Sequence, residues 1–358
     1  MKRCDIVIPV WNEPDVTREC IDSILKRTDY PYRLIIIDNG SDKETEDYLR
    51  SLKGIKGLNA LLIRNDKNLG FVKAVNQGIR ASDAPYLCLM NNDTVAQDGW
   101  LDEMAGVMDS YPQIGLVNPS SNTSGQSPDP GESIDIYASG LKRFKGEIQW
   151  LSTARGFCML IKREVIEKIG LLDEAYSTGY FEETDYSRRA GEAGYAIARV
   201  KSSYVYHKGS ASFKKIEGAG ALFEKNERIF YGRWGRPVKV GLFLDAINPG
   251  RNIDRMARDI VNERHQIWIF LKKGLPWPVT LDHYEIRRVD LNPYFFGLVS
   301  IYKIFKRKKK KRIDVILTDN EAFGRILKMA ARFHGSVVLV RAGDDDLKAV
   351  LAAKSKDF

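Results

Sequence analysis

Strand-like and helix-like segments alternate from the first residues of this chain, and that rhythm restricts the fold more than any single residue does. "CDIVIPV" (4–10) is a β-rich run, after which Val16, Cys20 and Ile24 recur at helical spacing behind Pro14, a residue suited to a first helical turn. "RLIIID" (33–38) reads as a second buried strand, and in the following "GSDKETEDYLRSL" Ser41 and Glu44 are spaced as a capping box. "LNALLIR" and "YLCLM" supply two more strands, separated by a helix through "FVKAVNQGIRA". Strand and helix in this alternation predict a parallel sheet with helices on its faces, so the fold class is α/β. Such sheets bind ligands at the carboxyl ends of their strands, and the residues just past each strand are the ones to watch.

The texture changes between Pro119 and Glu147, where Ser, Pro and Gly predominate and a mobile surface excursion is expected. Regular patterning resumes with "GFCMLIKREVIEKIG" and "GYFEETDYSRRAGEAGYAIARV". Gly235 and Pro237 then precede a fresh β-run, "VKVGLFL", which restarts the alternation: helices near 252 to 264, 294 to 306 and 321 to 333, with strands "QIWIFL", "IDVILTD" and "SVVLVRA" between and after them. A length of 358 residues accommodates two such units, with boundaries expected at 1–235 and 236–358.

Hydrophobic content of 44% and charged content of 29% are those of a globular chain. No stretch reaches the roughly 18 unbroken apolar residues of a spanning helix, and the first residues pass into a strand pattern without a signal-peptide core, so a cytoplasmic location is expected. Cys4, Cys20, Cys88 and Cys158 are far apart and each sits in an apolar run, which reads as buried thiols and gives no zinc or disulfide spacing. The net charge of +9 suggests anionic partners.

Several polar residues fall at predicted strand ends: Pro9 to Glu13, Asp38, Arg64 with Asn65, and Asp93. Any one acid after a strand is ordinarily a turn or cap residue, but three or more on one sheet edge change that balance. Asn68 and Gly70 precede a helix start, where backbone N–H groups suit a phosphate, although Asn-Leu-Gly also makes an ordinary turn. Glu182, Glu183 and Asp185 share a first helical turn, as helix-dipole complements or with one of them as a general base. His207 ends a β-run, where packing is the ordinary role and completing a metal site with Asp93 the functional one. Seven cations in a row, Lys306 to Arg312, follow an aromatic helix. They read either as a solvated helix end or as peripheral membrane contact at the inner face of the cell membrane. No reader module accompanies them, so a nucleic-acid partner is not expected.

Taken in order, "IVIPVWNE", "IIIDNGSDKET", "NLGFVKAVNQG", "MNNDT", "GFCMLIKREVIEKIGLLDE", "YFEETDYSRRAGEAGY" and "VYHKGSAS" resemble the inverting glycosyltransferases of family 2. The resemblance covers about residues 4 to 234, and the "NNDT" variant is similar to a branch that includes many rhamnosyltransferases of bacterial surface polysaccharide synthesis. It implies a GT-A domain with a mixed, mainly parallel sheet, binding a nucleotide sugar, followed by a smaller Rossmann-like α/β domain. That second domain resembles in outline one half of a GT-B glycosyltransferase, either cut from a longer chain or accessory. Carried over by position, Pro9, Val10, Trp11, Glu13 and Asp38 would contact base and ribose, with Arg64, Asn68, Gly70 and Asn92 also at the nucleotide. Asp93 matches the last acid of a DXD-like motif, with His207 as a second approach to a divalent cation, Mn²⁺ or Mg²⁺.

The implied base position falls on Glu183, where the family usually carries Asp, and Asp185 is the fallback. Asn91 stands where many relatives have the first Asp of the motif, so the cation site lacks one charge and Mn²⁺ would tolerate His207 better than Mg²⁺. The implied reaction moves a sugar from a nucleoside-diphosphate donor, dTDP-rhamnose or a UDP-sugar, to a saccharide or lipid-linked acceptor. Both departures keep open an inactive sugar-nucleotide-binding or scaffold module, and a sheet-edge nucleotidyltransferase is a third reading.

Overall fold

A computed structural model describes residues 2–209, 218–305 and 312–356. The chain divides into two compact units, Met1–Arg228 and Ile229–Phe358. Six residues of the basic run, 306–311, lie outside the described residues.

The first unit runs β1 (Cys4–Val10), α1 (Pro14–Arg27), β2 (Tyr32–Asp38), α2 (Lys43–Ser51), β3 (Ala60–Arg64), α3 (Phe71–Arg80), β4 (Tyr86–Met90), β5 (Thr94–Ala96) and α4 (Trp100–Ser110). It continues through β6 (Ile114–Ser120), α5 (Ile134–Leu141), β7 (Ile148–Leu151), β8 (Cys158–Lys162), α6 (Arg163–Ile169), α7 (Glu182–Glu192) and β9 (Ala196–His207). Among the described residues these strands form a nine-stranded sheet of order β3-β2-β1-β4-β8-β6-β9-β5, with β7 against β9. Pairing is parallel from β3 to β4 and between β6 and β9, whereas β8 runs antiparallel to both of its neighbours.

Local chemistry explains the elements. α1 opens on Pro14, closes on Lys26 and Arg27 where cations complement the helix dipole, and buries Cys20, Ile21 and Ile24. α2 is capped by Asp42, whose side chain accepts from the Thr45 N–H at 2.9 Å, and not by the Ser41–Glu44 box expected from spacing. The Ser41 N–H is instead held by the Asp38 carboxylate at 3.0 Å, which places Ser41 in the preceding turn. Both faces of β1 are covered: Ile6 and Ile8 enter the main core with Ile36, Met90 and Trp100, while Val7 meets α3. A Cβ on Gly78 would lie 2.2 Å from Val7 Cγ1, so glycine is what lets α3 seat on the sheet. Truncating a fully buried residue such as Ile8 to Ala would cost about 2–5 kcal/mol. The four cysteines are free and buried.

The Ser- and Pro-rich stretch differs from the expected loose excursion. It contains α5, capped by Ser133, with Tyr137 edge-on to Tyr204 at 5.3 Å and Asp135 paired to Arg27 at 2.9 Å. Its Pro residues lie outside the helix, and Gly140 sits in the last turn of α5 without interrupting it.

α8 (Ala219–Trp234) runs across the boundary between units. The second unit holds β10 (Lys239–Leu244), α9 (Ile253–Asn262), β11 (Gln266–Lys272), β12 (Ile286–Leu291), α10 (Phe296–Phe305), β13 (Val315–Thr318), α11 (Glu321–Met329), α12 (Ala331–His334), β14 (Val337–Val340) and α13 (Asp344–Ser355). Its five described strands are all parallel, in order β12-β11-β10-β13-β14. One core joins α9 and α13 to the sheet through Met256, Ile260, Leu347 and Leu351. The other joins α10 and α11 through Ile304, Phe323 and Leu327, beside the stacked rings of Phe243 and Phe270 at 4.3 Å. Among the described residues no helix is long and apolar enough to cross a membrane.

Candidate functional site

Parallel pairing brings the carboxyl ends of β1, β2, β3 and β4 to one edge of the first sheet, at Val10, Asp38, Arg64 and Met90. β6 and β9 run the same way and end there at Ser120 and His207, and antiparallel β8 starts there at Cys158. The strand ends named from sequence therefore converge.

On one side the loops after β1, β2 and β3 are tied into a cradle. Asn12 and Glu13 adopt left-handed backbone, with φ of 57° and 61°, and the Asn12 N–H donates to Ser41 Oγ at 3.0 Å while Asn12 Oδ1 accepts from the Asp42 N–H at 2.8 Å. Asp38 is fully buried, and its carboxylate pairs with Arg64, which also donates to the Ser41 carbonyl at 3.1 Å and lies 3.2 Å from Glu46. Asn39 donates to Asn68 Oδ1 at 2.9 Å and accepts from the Leu69 N–H and from Asn65, each at 3.0 Å. Gly40, with φ of 75°, allows this turn to lie against the next loop: a Cβ there would be 2.5 Å from the Lys67 carbonyl carbon. The start of α3 is less open to a phosphate than its sequence suggests. The Gly70 N–H is taken by Asn68 Oδ1 at 2.8 Å and the Val72 N–H by the Ser177 carbonyl at 3.2 Å.

At the centre, Asn91 to Asp93 turn the chain from β4 into β5. The Asn91 N–H donates to the Phe157 carbonyl at 2.8 Å, and Asn92 donates through its side chain to Thr17 Oγ1 at 2.9 Å. Register pairs Thr94 with His207, which sets Asp93 Oδ1 3.1 Å from His207 Nε2. The imidazole is held flat by the Phe157 ring, stacked at 5.2 Å and 14°, and its backbone exchanges two bonds with the Asn122 amide at 2.8 and 2.9 Å. Close as they are, neither Asp93 Oδ1 nor His207 Nε2 makes an aligned hydrogen bond, and the buried Asn91 Oδ1 also lacks a partner. Orphaned buried acceptors are costly, and a carboxylate oxygen beside an imidazole nitrogen is a donor set that a divalent cation satisfies. Among the described residues no group of three or more His, Cys, Asp or Glu could hold a metal. The protein would supply two ligands, leaving the rest to phosphate oxygens and water, which is how Mg²⁺ and its congeners are ordinarily held.

On the far side, the chain from Ser177 to Phe181 is strained, with φ of 50° at Ser177, 69° at Tyr180 and 73° at Phe181. Buried Asn226 of α8 clamps it, its side-chain N–H₂ donating to the carbonyls of Tyr176, Gly179 and Tyr180 at 2.9, 2.7 and 3.2 Å. This strain starts α7 with Glu182 and Glu183 at the sheet edge. Burial pushes both carboxyls above the usual carboxylate range. The Glu183 charge raises Glu182 further, whereas backbone N–H groups, Arg155 and a bond from Glu182 oppose the rise at Glu183. The two carboxyls share one buried site and therefore give up their protons as a pair, above the usual range. Ser187 Oγ donates to the Glu183 carbonyl at 2.7 Å and accepts from the Ala154 N–H at 3.0 Å, so α7 and the loop carrying Arg155 move as one. Asp185 points elsewhere: it is fully buried, bonded to Arg189 Nε at 2.8 Å and to the Tyr176 hydroxyl at 3.3 Å.

Residues 5–170 match the family model described as glycosyl transferase family 2. The first unit is thus similar to glycosyltransferase family 2 over residues 5–170. Over 270 residues the chain is 27% identical to an uncharacterized protein, y4gI, of Sinorhizobium fredii, covering 70% of this chain and 29% of that one. Over 347 residues it is 24% identical to an uncharacterized glycosyltransferase of Haemophilus influenzae, covering 88% and 100% respectively. Over 258 residues it is 24% identical to the N-acetylglucosaminyl-diphospho-decaprenol L-rhamnosyltransferase of Mycobacterium tuberculosis, covering 61% and 81%. Among solved structures, it is similar to a mannosyltransferase of Pyrobaculum calidifontis in complex with GDP-Man and Mn²⁺, with a TM-score of 0.48, 16% identity, and 65% and 63% of the two chains covered. The chain thus spans under a third of the first relative's length and all of the second's.

The α/β expectation holds, as a mixed, mainly parallel sheet in the first unit followed by a second, parallel α/β unit. The site residues named from sequence fall into three groups. Pro9, Val10, Trp11, Glu13, Asp38, Arg64, Asn68 and Gly70 form or flank the cradle, Asn92, Asp93 and His207 the centre, and Glu183 the far side. Asp185 joins none of them. Sequence reading passed over Arg155, Asn39 and Asn226, and it named Glu182 without seeing it as the partner of Glu183.

Proposed function

We propose that the first unit transfers a sugar with inversion from a nucleoside-diphosphate donor, dTDP-rhamnose or a UDP-sugar, to a saccharide or lipid-linked acceptor in surface polysaccharide synthesis. The observation that carries this reading is the presence, on one sheet edge, of two separate centres. Asp93 with His207 suits the leaving diphosphate, and Glu182 with Glu183 suits an acceptor hydroxyl. Similarity to the mycobacterial rhamnosyltransferase supports the substrate class.

In this mechanism the loops at Pro9 to Glu13 and at Asp38 receive the nucleoside, with Arg64 holding Asp38 in its buried place. Asp93 and His207 would hold a divalent cation, Mn²⁺ or Mg²⁺, which when bound neutralises negative charge growing on the diphosphate. Glu183, ionised, accepts the proton of the acceptor hydroxyl. The hydroxyl oxygen forms its bond to the anomeric carbon from the face opposite the diphosphate, whose C–O bond breaks with the electron pair leaving on the nucleotide. Arg155 favours the ionised form of Glu183 against the effect of burial, and the strained loop would set the position of Glu183 relative to the sugar.

A second reading, an inactive sugar-nucleotide-binding module, is favoured by Asn91 and by Glu in place of Asp at 183. Incubation with dTDP-, UDP- and GDP-sugars, with and without Mn²⁺, separates the two. Release of nucleoside diphosphate and an inverted product anomer by NMR are expected. A retained anomer would sink the single displacement, and nucleotide binding with no release would establish the scaffold. The second unit we read as an accessory Rossmann-like domain, its expected span 236–358.

A further inference from the structure

The outer surface of the second unit carries large apolar side chains at helical spacing. On α10, Leu298, Tyr302 and Phe305 are 69%, 52% and 43% exposed. Along α11 and α12, Ile326, Met329 and Phe333 are 47%, 76% and 64% exposed. Leu298, Tyr302 and Phe305 form one stripe along α10, whereas Ile326 and Met329 share a face of α11 and Phe333 continues the exposed apolar surface onto α12. Both helices send their opposite faces into the same core, through Ile304 on α10 and Phe323 and Leu327 on α11. They therefore share one layer on one face of the sheet, and the two stripes look away from that core. The layer is joined at its end, where the Phe305 ring meets the His334 ring at 5.7 Å.

Charge on this layer is predominantly positive. Lys303, Arg325, Lys328 and Arg332 are exposed between or beside the stripes, and the Arg332 guanidinium lies over Phe333 at 4.8 Å. No acid occurs in the sequence between Asp290 and Asp314, or between Glu321 and Asp344. Of the bounding acids, Asp314 is paired with Arg236 at 2.7 Å and Glu321 with Arg341 at 2.7 Å. Residues 306–311 lie outside the described residues and are not part of the surface considered.

Single exposed apolar residues are ordinary, but two stripes on a layer whose one acid, Glu321, is paired with Arg341 are not. Water gains nothing from Leu, Ile, Met and Phe in this arrangement, whereas a bilayer interface accepts apolar and aromatic groups below and cations at the headgroups. A nucleic acid would engage the cations but leave the aliphatic side chains unrewarded. We propose that the outer face of α10 to α12 docks this protein peripherally on an anionic lipid bilayer. The surface lies in a different unit from the transferase site, so its test stands apart from the transfer chemistry.

The full chain is sedimented with vesicles of phosphatidylcholine, with or without phosphatidylglycerol. Wild type is expected in the pellet only with phosphatidylglycerol. The combined change Leu298→Ser, Met329→Ser and Phe333→Ser should weaken binding about tenfold at all salt concentrations, because each site loses buried apolar area. The combined change Arg325→Gln, Lys328→Gln and Arg332→Gln should weaken it about ten- to a hundredfold at low salt and flatten its salt dependence. All six positions are exposed, and unchanged melting curves and nucleotide binding confirm that the variants are folded. Absence of wild-type binding, binding that survives the apolar triple change, or retention of duplex DNA where vesicles are ignored would each overturn the proposal.

Discussion

The mixed sheet of the first unit and the parallel sheet of the second present their edges in opposite ways. In the second unit the polar residues at the carboxyl ends of the strands are largely engaged with one another: Asp245 accepts from Asn320 at 2.6 Å and Arg251 pairs with Asp319 at 2.5 Å, although Asp319 keeps one oxygen without a partner. In the first unit, Asn91, Asp93, Glu182, Glu183 and His207 each keep a buried atom without a hydrogen bond. Non-glycine residues forced to positive φ gather there too, at Asn12, Glu13, Ser177, Tyr180 and Phe181. A sheet edge becomes chemically competent when the fold withholds internal partners from its polar groups and meets the cost elsewhere.

That contrast is open to direct attack. The largest expected effect is on turnover: Glu183→Gln should lower kcat by about 10² to 10⁴ with donor affinity nearly unchanged, the range for a lost general base. Near-normal kcat would remove Glu183 from the chemistry and leave the two edges functionally alike. Next comes Asp93→Ala, expected to weaken Mn²⁺-dependent stabilisation by nucleoside diphosphate about 10- to 100-fold in apparent affinity, measured by thermal shift. If metal dependence persisted at full strength, the Asp93 and His207 pair would be only an internal contact.

Arg64→Gln tests the cradle. It leaves the buried Asp38 charge without its partner, and since Arg64 is itself about one-third exposed, the expected loss of folding stability by urea titration is about 2 kcal/mol.

Glu182→Gln should do the reverse. Both carboxyls are held above their usual range by burial, so the folded state keeps protons that the unfolded chain releases. Their cost to stability is absent below the ordinary glutamate range and grows as pH rises through the raised values. The variant should melt about 2–4 °C higher above neutral pH and unchanged near pH 4. Its acid limb in kcat/KM should also move to lower pH. A melting gain equal at both pH values would show that the carboxyls do not share a site. The smallest effect is expected in the second unit, where Asp245→Asn should cost about 1 kcal/mol or less and leave transfer untouched.

How much of this could be read from sequence follows from the range of each interaction. The strand and helix alternation, the boundary of α1 at Pro14 and Arg27, and the convergence of Asp38, Arg64 and Asp93 on one edge all depend on local periodicity and on parallel pairing. The α2 cap did not follow the spacing rule, because Asp42 competes with Ser41 and wins once Asp38 takes the Ser41 N–H. Glu183 and Asp185 are equivalent as first-turn acids in the sequence, and only the inward pull of Arg189 and Tyr176 separates them. Arg155 gave no local signal, since its effect on Glu183 depends on the docking of α7 against the loop before β8. Asn226 looks like an ordinary surface amide of a charged helix, and its three acceptors lie 46 to 50 positions earlier.

Asn226 also sets a schedule. A chain leaving the ribosome presents β1 to β4 first, and the loops after β1, β2 and β3 are tied mainly to one another, with the Ser177 carbonyl on the Val72 N–H as a later contact. Glu183 emerges later, yet the loop that aims it has no anchor until α8 has followed. Because folding during synthesis proceeds from the N-terminal side, the bonds among the first three loops can form while the loop before Glu183 still lacks Asn226. On the function proposed above, donor binding would become possible before transfer does.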